Sequence, residues 1–494
     1  MASPAMHIKE DNEKPSFSHT EGEGTGLDSR TRSGDDGSIE MAPMQTPGKA
    51  WEKKTILKID LRLLIILGLC YAVSLIDRTN ISVARVAGMQ RSLRLDIGER
   101  YSIISLLFFV PYIIFELPSN IVLKKVGTKH WLAGITLGFG VIMTGMAFVK
   151  NWWQLAICRV LLGLLESGFF PGCVYLVSCW YTRYETNSRM AVFYLTSMVI
   201  SGFSNIIGYG MSTLAGTHGL LGWQWIFLLF GVITMALGII AWFLIVEFPE
   251  KNKFLDQDQT AWVIQRIQID RGDAIPDKIS FATVRKNAAD WKLWVFALMF
   301  MTATTGAYAF AYFLPVILNG QGYSQKLSLL LSAPPYVFAA IYTFVLAVIS
   351  DKTHLRTPFI ALSCTVCIIG LAVAAYAPQA GVRYFGTFLV IAGTQSNVPA
   401  VITYSQNNIL GNSKRAFTSA LVIGFGGIGG IVASTVYRQA DYPRYIPGLW
   451  TTIGLNLMTI AFCVLMSLYF KAQNRKADEG RLAPEGNPKF RYTI

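Results

Sequence analysis

The chain has 494 residues, 52% of them hydrophobic and only 15% charged, against about 25% in soluble domains. That balance excludes a pair of soluble domains and points to a polytopic membrane protein. The net charge of +13 falls mostly in short loops and tails, where it sets topology, so no nucleic-acid partner is expected.

Residues 1–54 are rich in Ser, Gly, Asp, Glu and Pro up to about residue 50 and lack the apolar core of a signal peptide; they are expected to be a disordered cytosolic tail. Apolar runs then follow at about 60–84, 101–123, 131–149, 153–181, 189–214 and 223–247, forming a first six-helix half over 55–247. Each is long enough to cross a hydrocarbon layer of about 30 Å. A polar stretch, 248–290, is expected to be a cytosolic linker. Further runs at about 291–318, 326–350, 357–376, 382–405, 416–437 and 448–471 make a second half over 291–471, and 472–494 reads as a cytosolic tail. The expected fold is all-α with 12 transmembrane helices. Lys53, Lys54 and Lys58 before the first run, and Lys471, Arg475 and Lys476 after the last, place both termini in the cytosol.

The first run ends in Asp77-Arg78-Thr79-Asn80. Asp77 is a candidate for proton handling or for an interfacial cap on its helix, and Arg78 a candidate for binding an anion. The second run carries Pro111, Glu116 and Pro118; Glu116 reads either as a second protonation site or as a hydrogen-bond partner of a neighbouring helix. The fourth run contains R-V-L-L-G-L-L-E-S-G-F-F-P, from Arg159 to Pro171. Arg159, Gly163 and Glu166 share one helix face. Each ionised group at mid-membrane costs about 2.5–3.5 kcal/mol, so this face is expected to look into a wet pathway or to lock helices as a structural ion pair. An arginine fork suits a carboxylate, and a semi-buried glutamate can trade a proton. Pro171 should kink the helix just beyond Glu166.

The second half is nearly free of charge within its runs. Tyr308 and Tyr312 in the seventh, and Gln395 and Asn397 in the tenth, could position the uncharged part of a ligand or bond between helices. Gly424, Gly426, Gly427, Gly429 and Gly430 read as a packing face. The seven cysteines all lie in apolar runs and read as small core hydrophobes. No metal cluster, cofactor motif or nucleophile–base pair is present, so an enzyme is not expected.

The chain resembles the major facilitator superfamily over residues 55–471. Within it, D-R-T-N-I-S-V-A-R-V-A-G-M (Asp77–Met89), E-L-P-S-N (Glu116–Asn120), the Arg159–Pro171 stretch and N-N-I-L-G-N-S-K-R (Asn407–Arg415) resemble the anion:cation symporter family, in particular its fungal branch of allantoate and nicotinic acid permeases. The resemblance implies alternating access between two halves, with Arg78 and Arg159 meeting an anion and Glu166 handling a proton. The arginine that such relatives carry on the seventh helix has no counterpart here. The superfamily's basic gating turns correspond to Lys124 and Lys125, where Lys124 stands in an acidic position, and to Asp351 and Lys352, where the acid is kept. These features together predict a monomeric, proton-coupled importer of a small organic anion in the plasma membrane of a fungus-like cell. The alternatives are an exporter or organellar carrier on the same fold, and a transport-dead nutrient sensor.

Overall fold

A computed structural model describes residues 48–271, 281–410, 412–442, 445–486 and 490–494. Among these the regular structure is entirely helical. The long helices are α1 (Lys49–Ala84), α2 (Arg100–Val126), α3 (Thr128–Met146), α4 (Trp152–Glu166, resuming at Phe169–Trp180), α5 (Arg183–Ser212) and α6 (Gly222–Leu244). They continue as α7 (Trp291–Gly320), α8 (Ala333–Thr353), α9 (Thr357–Tyr376), α10 (Ala380–Asn407), α11 (Asn412–Val436) and α12 (Ile446–Asp478). Ten spans among the described residues are long and apolar enough to cross a membrane. Ten of the expected runs coincide with them. The other two fall on α2 and α3: α2 contains four side chains outside the described residues, and α3 opens on the polar Thr128, Lys129 and His130. The chain is a multi-pass membrane protein.

Local chemistry fixes the helix ends. Gln154 folds back to accept from the backbone N–H of Lys150 and Asn151 (2.8 and 3.2 Å) at the start of α4. Asp290 accepts from Lys292 N at the start of α7 (3.1 Å). Pro171 cannot donate to the Ser167 carbonyl one turn back, and α4 breaks at Ser167-Gly168 as its sequence suggested.

Small residues set the spacing between helices. A side chain at Gly163 would overlap the Phe108 carbonyl, so α4 lies directly on α2. The glycine-rich face of α11 is shared: Gly426 and Gly429 press on Phe300 and Thr304 of α7, while Gly427 and Gly430 press on Ile113 and Phe109 of α2. One glycine face thereby joins the second six-helix set to the first.

The turns at one end of the bundle are tied by acids. At the α2–α3 turn Gly127 adopts φ +97°, and the Glu247 carboxylate, from beyond α6, accepts from Lys129 N (3.1 Å) and Thr128 Oγ1 (3.3 Å). A carboxylate at a helix N-terminus complements the dipole there. Lys125 is exposed, and the Lys124 side chain lies outside the described residues. At the α8–α9 turn Asp351 pairs with Arg356 (2.6 Å), and Lys352 is exposed.

The stretch expected as a linker contains helices Gln257–Arg271 and Phe281–Ala288. It packs back on the first helices, with Trp262 edge-on to Trp51 (5.6 Å) and Arg266 paired to Glu185. Beyond α12 the chain folds over the ends of the second six helices. Tyr492 stacks on Phe470 at 4.3 Å and exchanges two 2.8 Å hydrogen bonds with Asn474. Thr493 N donates to Asn408 Oδ1 (2.8 Å), and Arg356 N donates to the Ile494 carbonyl (2.6 Å). Glu485 pairs with Lys292 and with Lys414 (2.7 Å), and Lys414 also reaches Asp290 (2.6 Å). Glu485 and residues 490–494 therefore form a strap joining α7, α9, α10, α11 and α12.

Burial raises the Glu485 carboxyl, but hydrogen bonds from Lys292 and Lys414 outweigh it and hold the group below its ordinary value. A depressed folded pKa contributes stability above the unfolded value, about 4.3, and that contribution is lost as pH falls through the folded value. Glu485→Gln should cost about 2 kcal/mol at neutral pH, the scale of a hydrogen bond to a charged group. Thermal unfolding of the purified protein should show the gap from wild type narrowing below about pH 4; a gap independent of pH would show that the strap does not rest on this charge.

Candidate functional site

Helix α1 supplies the centre of the site. Ser74 and Arg78 stand one turn apart on one face. Arg78 donates from Nε (3.2 Å) and Nη2 (2.5 Å) to Glu166 Oε1 at the break in α4, and Ser74 Oγ donates to the same oxygen. Arg78 Nη1 crosses to α7 and donates to the Tyr308 hydroxyl (2.6 Å). The guanidinium carbon lies 4.9 Å from the ring centres of both Phe108 and Tyr112 on α2. A buried cation is tolerable when paired, hydrogen-bonded and faced by aromatic rings, and Arg78 has all three.

The expected partnership within α4 is corrected here. Arg159, Gly163 and Glu166 do share a buried face, but it packs on α1 and α2 and stands outside the wall of the central cavity described below. Glu166 pairs with Arg78 instead of Arg159. Arg159, 1% exposed, donates from Nη1 to the backbone carbonyls of Asp77 (3.4 Å) and Arg78 (3.2 Å). Its Nε and Nη2 have no partner among the described residues, nor does Glu166 Oε2. The physical reason is length: seven residues along α4 is about 10 Å, too far for direct pairing, while α1 crosses beside Glu166.

Asp77 does not cap its helix, because α1 continues seven residues further to Ala84. It is fully buried and accepts from Thr234 Oγ1 of α6 (3.1 Å). Glu116 is buried on α2, one turn from Tyr112 and outside the cavity wall.

A cavity of about 120 Å³ lies between the two sets of six helices. Arg78 is its only charged lining side chain among the described residues. Aromatic walls come from Tyr71 and Tyr112 on one side and Tyr308 and Tyr336 on the other, with Phe170 from α4. Asn205 and Gln395 add neutral polarity. Tyr194 of α5 donates to Gln395 Oε1 of α10 (3.2 Å), a second hydrogen bond across the cavity. Two residues expected to bind ligand lie elsewhere. Asn397 is two residues past Gln395, about 200° around the helix, and faces α9, where its amide donates to Cys364 Sγ (3.2 Å). Tyr312 is one turn beyond Tyr308 and belongs to a seal.

That seal lies at the end of the bundle opposite the strap. The Tyr101 hydroxyl donates to the Tyr312 carbonyl (3.2 Å). The Arg85 guanidinium lies 4.0 Å from the Tyr101 ring centre, and Phe313 packs edge-on to Tyr101 (5.6 Å). Phe313 also stacks on Tyr437 (5.3 Å) and meets Tyr445 (5.5 Å). From the level of Arg78 the cavity extends the other way, toward Phe300, Ile402 and Ile423. Sequence reading passed over Ser74, Tyr112, Tyr194 and Tyr101. Ser74 was within reach of it, standing four residues before Arg78; the tyrosines lacked any local pattern.

The model of the Major Facilitator Superfamily matches residues 67–434. The chain is 28% identical to the high-affinity nicotinic acid transporter of Saccharomyces cerevisiae, covering 87% of this chain and 80% of that one. It is 28% identical to the major facilitator-type transporter hxnP of Emericella nidulans, covering 90% and 93%. A solved bacterial homologue of the human lysosomal transporter Spinster shares the fold with TM-score 0.63 at 15% identity, over 84% of this chain and 98% of that one. The xylose transporter XylE of E. coli gives TM-score 0.63 at 12% identity, over 83% and 99%. With its membrane-crossing helices, its central cavity and a family match over most of its length, this chain belongs to the Major Facilitator Superfamily of transporters.

Proposed function

We propose that the chain is a proton-coupled symporter that takes up a small organic anion by alternating access. The observation that carries this reading is Arg78: a single cation facing an aromatic-lined cavity between the two halves, resting on a buried carboxylate. A protonated Glu166 releases the guanidinium, whose fork then turns to a carboxylate in the cavity. An anion bound there in turn favours the proton on Glu166, since coupling between two sites is reciprocal. The Arg78–Glu166 pair thus takes up cargo and proton in the same step, and Arg159 and Asp77 hold α1 in register behind it. The cavity is close in size to an engineered cavity of about 150 Å³ that admits benzene, which favours a single-ring carboxylate. The similarity to a nicotinic acid transporter supports that class.

This reading has twelve crossings, with both termini, the 248–290 linker and the strap in the cytosol of a plasma-membrane protein working as a monomer. The aromatic seal then closes the outer side, and the cavity opens inward. Lys125, Asp351 and Lys352 lie at the cytosolic turns, where the Glu247 and Asp351 ties govern inward opening.

Uptake of labelled nicotinate and benzoate in transporter-null cells, at acid and neutral pH, tests the assignment. Glu166→Gln should lose acid-driven accumulation and keep counterflow exchange; accumulation equal to wild type at every pH would remove Glu166 from coupling. Arg78→Lys keeps the charge and loses the fork, and should cost about tenfold or more in kcat/KM. Equal kinetics would remove the arginine from recognition. Tyr101→Phe deletes one hydrogen bond of the seal, worth about 1 kcal/mol, or about fivefold in the closed-to-open ratio. A cysteine placed at Ala311 on the cavity wall should then react several times faster with an impermeant external thiol reagent. An unchanged rate would place the outer closure elsewhere.

A further inference from the structure

A second cavity, of about 260 Å³, lies apart from the first and within one six-helix set. It sits between α7, α9, α10 and α12 at the end of the bundle that carries the seal, lined by Phe310 and Gln321, Ala374, Arg383 and Thr387, and Leu449. Arg383 stands in the first turn of α10, where its backbone N–H bonds to the Gln379 carbonyl (3.1 Å). The positive end of a helix dipole disfavours a cation there. Three other basic residues at this end are answered: Arg438 by Asp441 (3.1 Å), Arg85 by Gln90 (3.0 Å) and Arg100 by the Arg94 carbonyl (3.1 Å). Arg383 Nε is buried and has no partner among the described residues. Across the cavity Gln321 Oε1 is buried and equally without a donor. Thr387 Oγ1 spends its proton on the Tyr384 carbonyl (2.6 Å) and can only accept.

We propose that this cavity is an accessory anion site, distinct from the central one, for a small anionic group that carries its own hydrogen-bond donor. The anionic oxygens meet the Arg383 fork, which matches carboxylate and phosphate alike. The ligand's O–H or N–H donates to Gln321 Oε1 or to Thr387. A free hydroxy-carboxylate has this chemistry, and so does the hydroxyl-bearing phosphate headgroup of an anionic lipid. A simple carboxylate satisfies Arg383 and leaves Gln321 unanswered, a costly state for a buried acceptor. On the topology proposed above, the site faces the outside.

The test uses the purified full chain in phosphatidylcholine nanodiscs, titrated calorimetrically with glycolate and, separately, acetate. Glycolate should bind more tightly than acetate. Arg383→Gln should weaken glycolate about tenfold, and Arg383→Lys should recover part of the loss. Gln321→Leu should erase the preference for glycolate, and Arg78→Gln should leave this binding intact. In a second arm, thermal unfolding is followed with and without phosphatidic acid in the nanodisc. Stabilisation by that lipid in wild type, lost in Arg383→Gln, would assign the site to a headgroup. Two results would each overturn the inference. One is Arg383→Gln matching wild type in both arms. The other is glycolate binding that vanishes with Arg78→Gln alone and so belongs to the central cavity.

Discussion

The structure depends on one oxygen. Glu166 Oε1 receives donors from Ser74 and twice from Arg78, buried within the helix bundle. Leaving either charge there without the other costs about 3–5 kcal/mol. Because the partners come from different helices, the pair also fixes how α1 crosses α4. The break in α4 at Ser167-Gly168 brings the carboxylate to that crossing, and Gly163 lets α4 lie close against α2. Arg159 reinforces the arrangement by holding the backbone carbonyls of Asp77 and Arg78 from the other side.

The periodicity of the chain carried most of the fold. Twelve apolar runs and a polar middle were legible because membrane helices must bury their own backbone polarity within long apolar segments. The identities of the charged centre were legible too, since Arg78, Arg159 and Glu166 stand out against apolar neighbours. Their pairing was not. Helix geometry relates residues within one helix, so it grouped Arg159 with Glu166, whereas pairing across helices depends on crossing angles that no local pattern encodes. The same limit explains Asn397, assigned to the cavity by composition and turned away from it by rotation along α10. It explains Glu247 as well, an acid at the end of an apolar helix whose partner lies some 120 residues earlier.

Among the described residues, the hydrogen bonds between the two sets of helices are separately placed. Arg78 to Tyr308 and Tyr194 to Gln395 span the cavity, and Tyr101 to the Tyr312 carbonyl closes its end. Elsewhere small residues meet larger side chains, Gly427 and Gly430 of α11 on Ile113 and Phe109 of α2 and Gly202 of α5 on Tyr336 of α8, which bring surfaces together without directional bonds. Such an interface can be separated at low cost, because small, smooth faces lose little specific bonding when they part. By contrast the strap gathers five helix ends of one set with ionic and aromatic contacts, which favours movement of that set as one body.

The bond from Arg78 to the Tyr308 hydroxyl has a consequence for the resting protein. With nothing in the cavity, the guanidinium still has an oxygen to face, supplied by the opposite half of the molecule. On the proposed function, the phenol is an internal understudy for a passenger: it answers the one guanidinium nitrogen that Glu166 leaves over and keeps the two sets of helices in touch until a better acceptor displaces it. A carrier furnished in this way would make its return journey without a load.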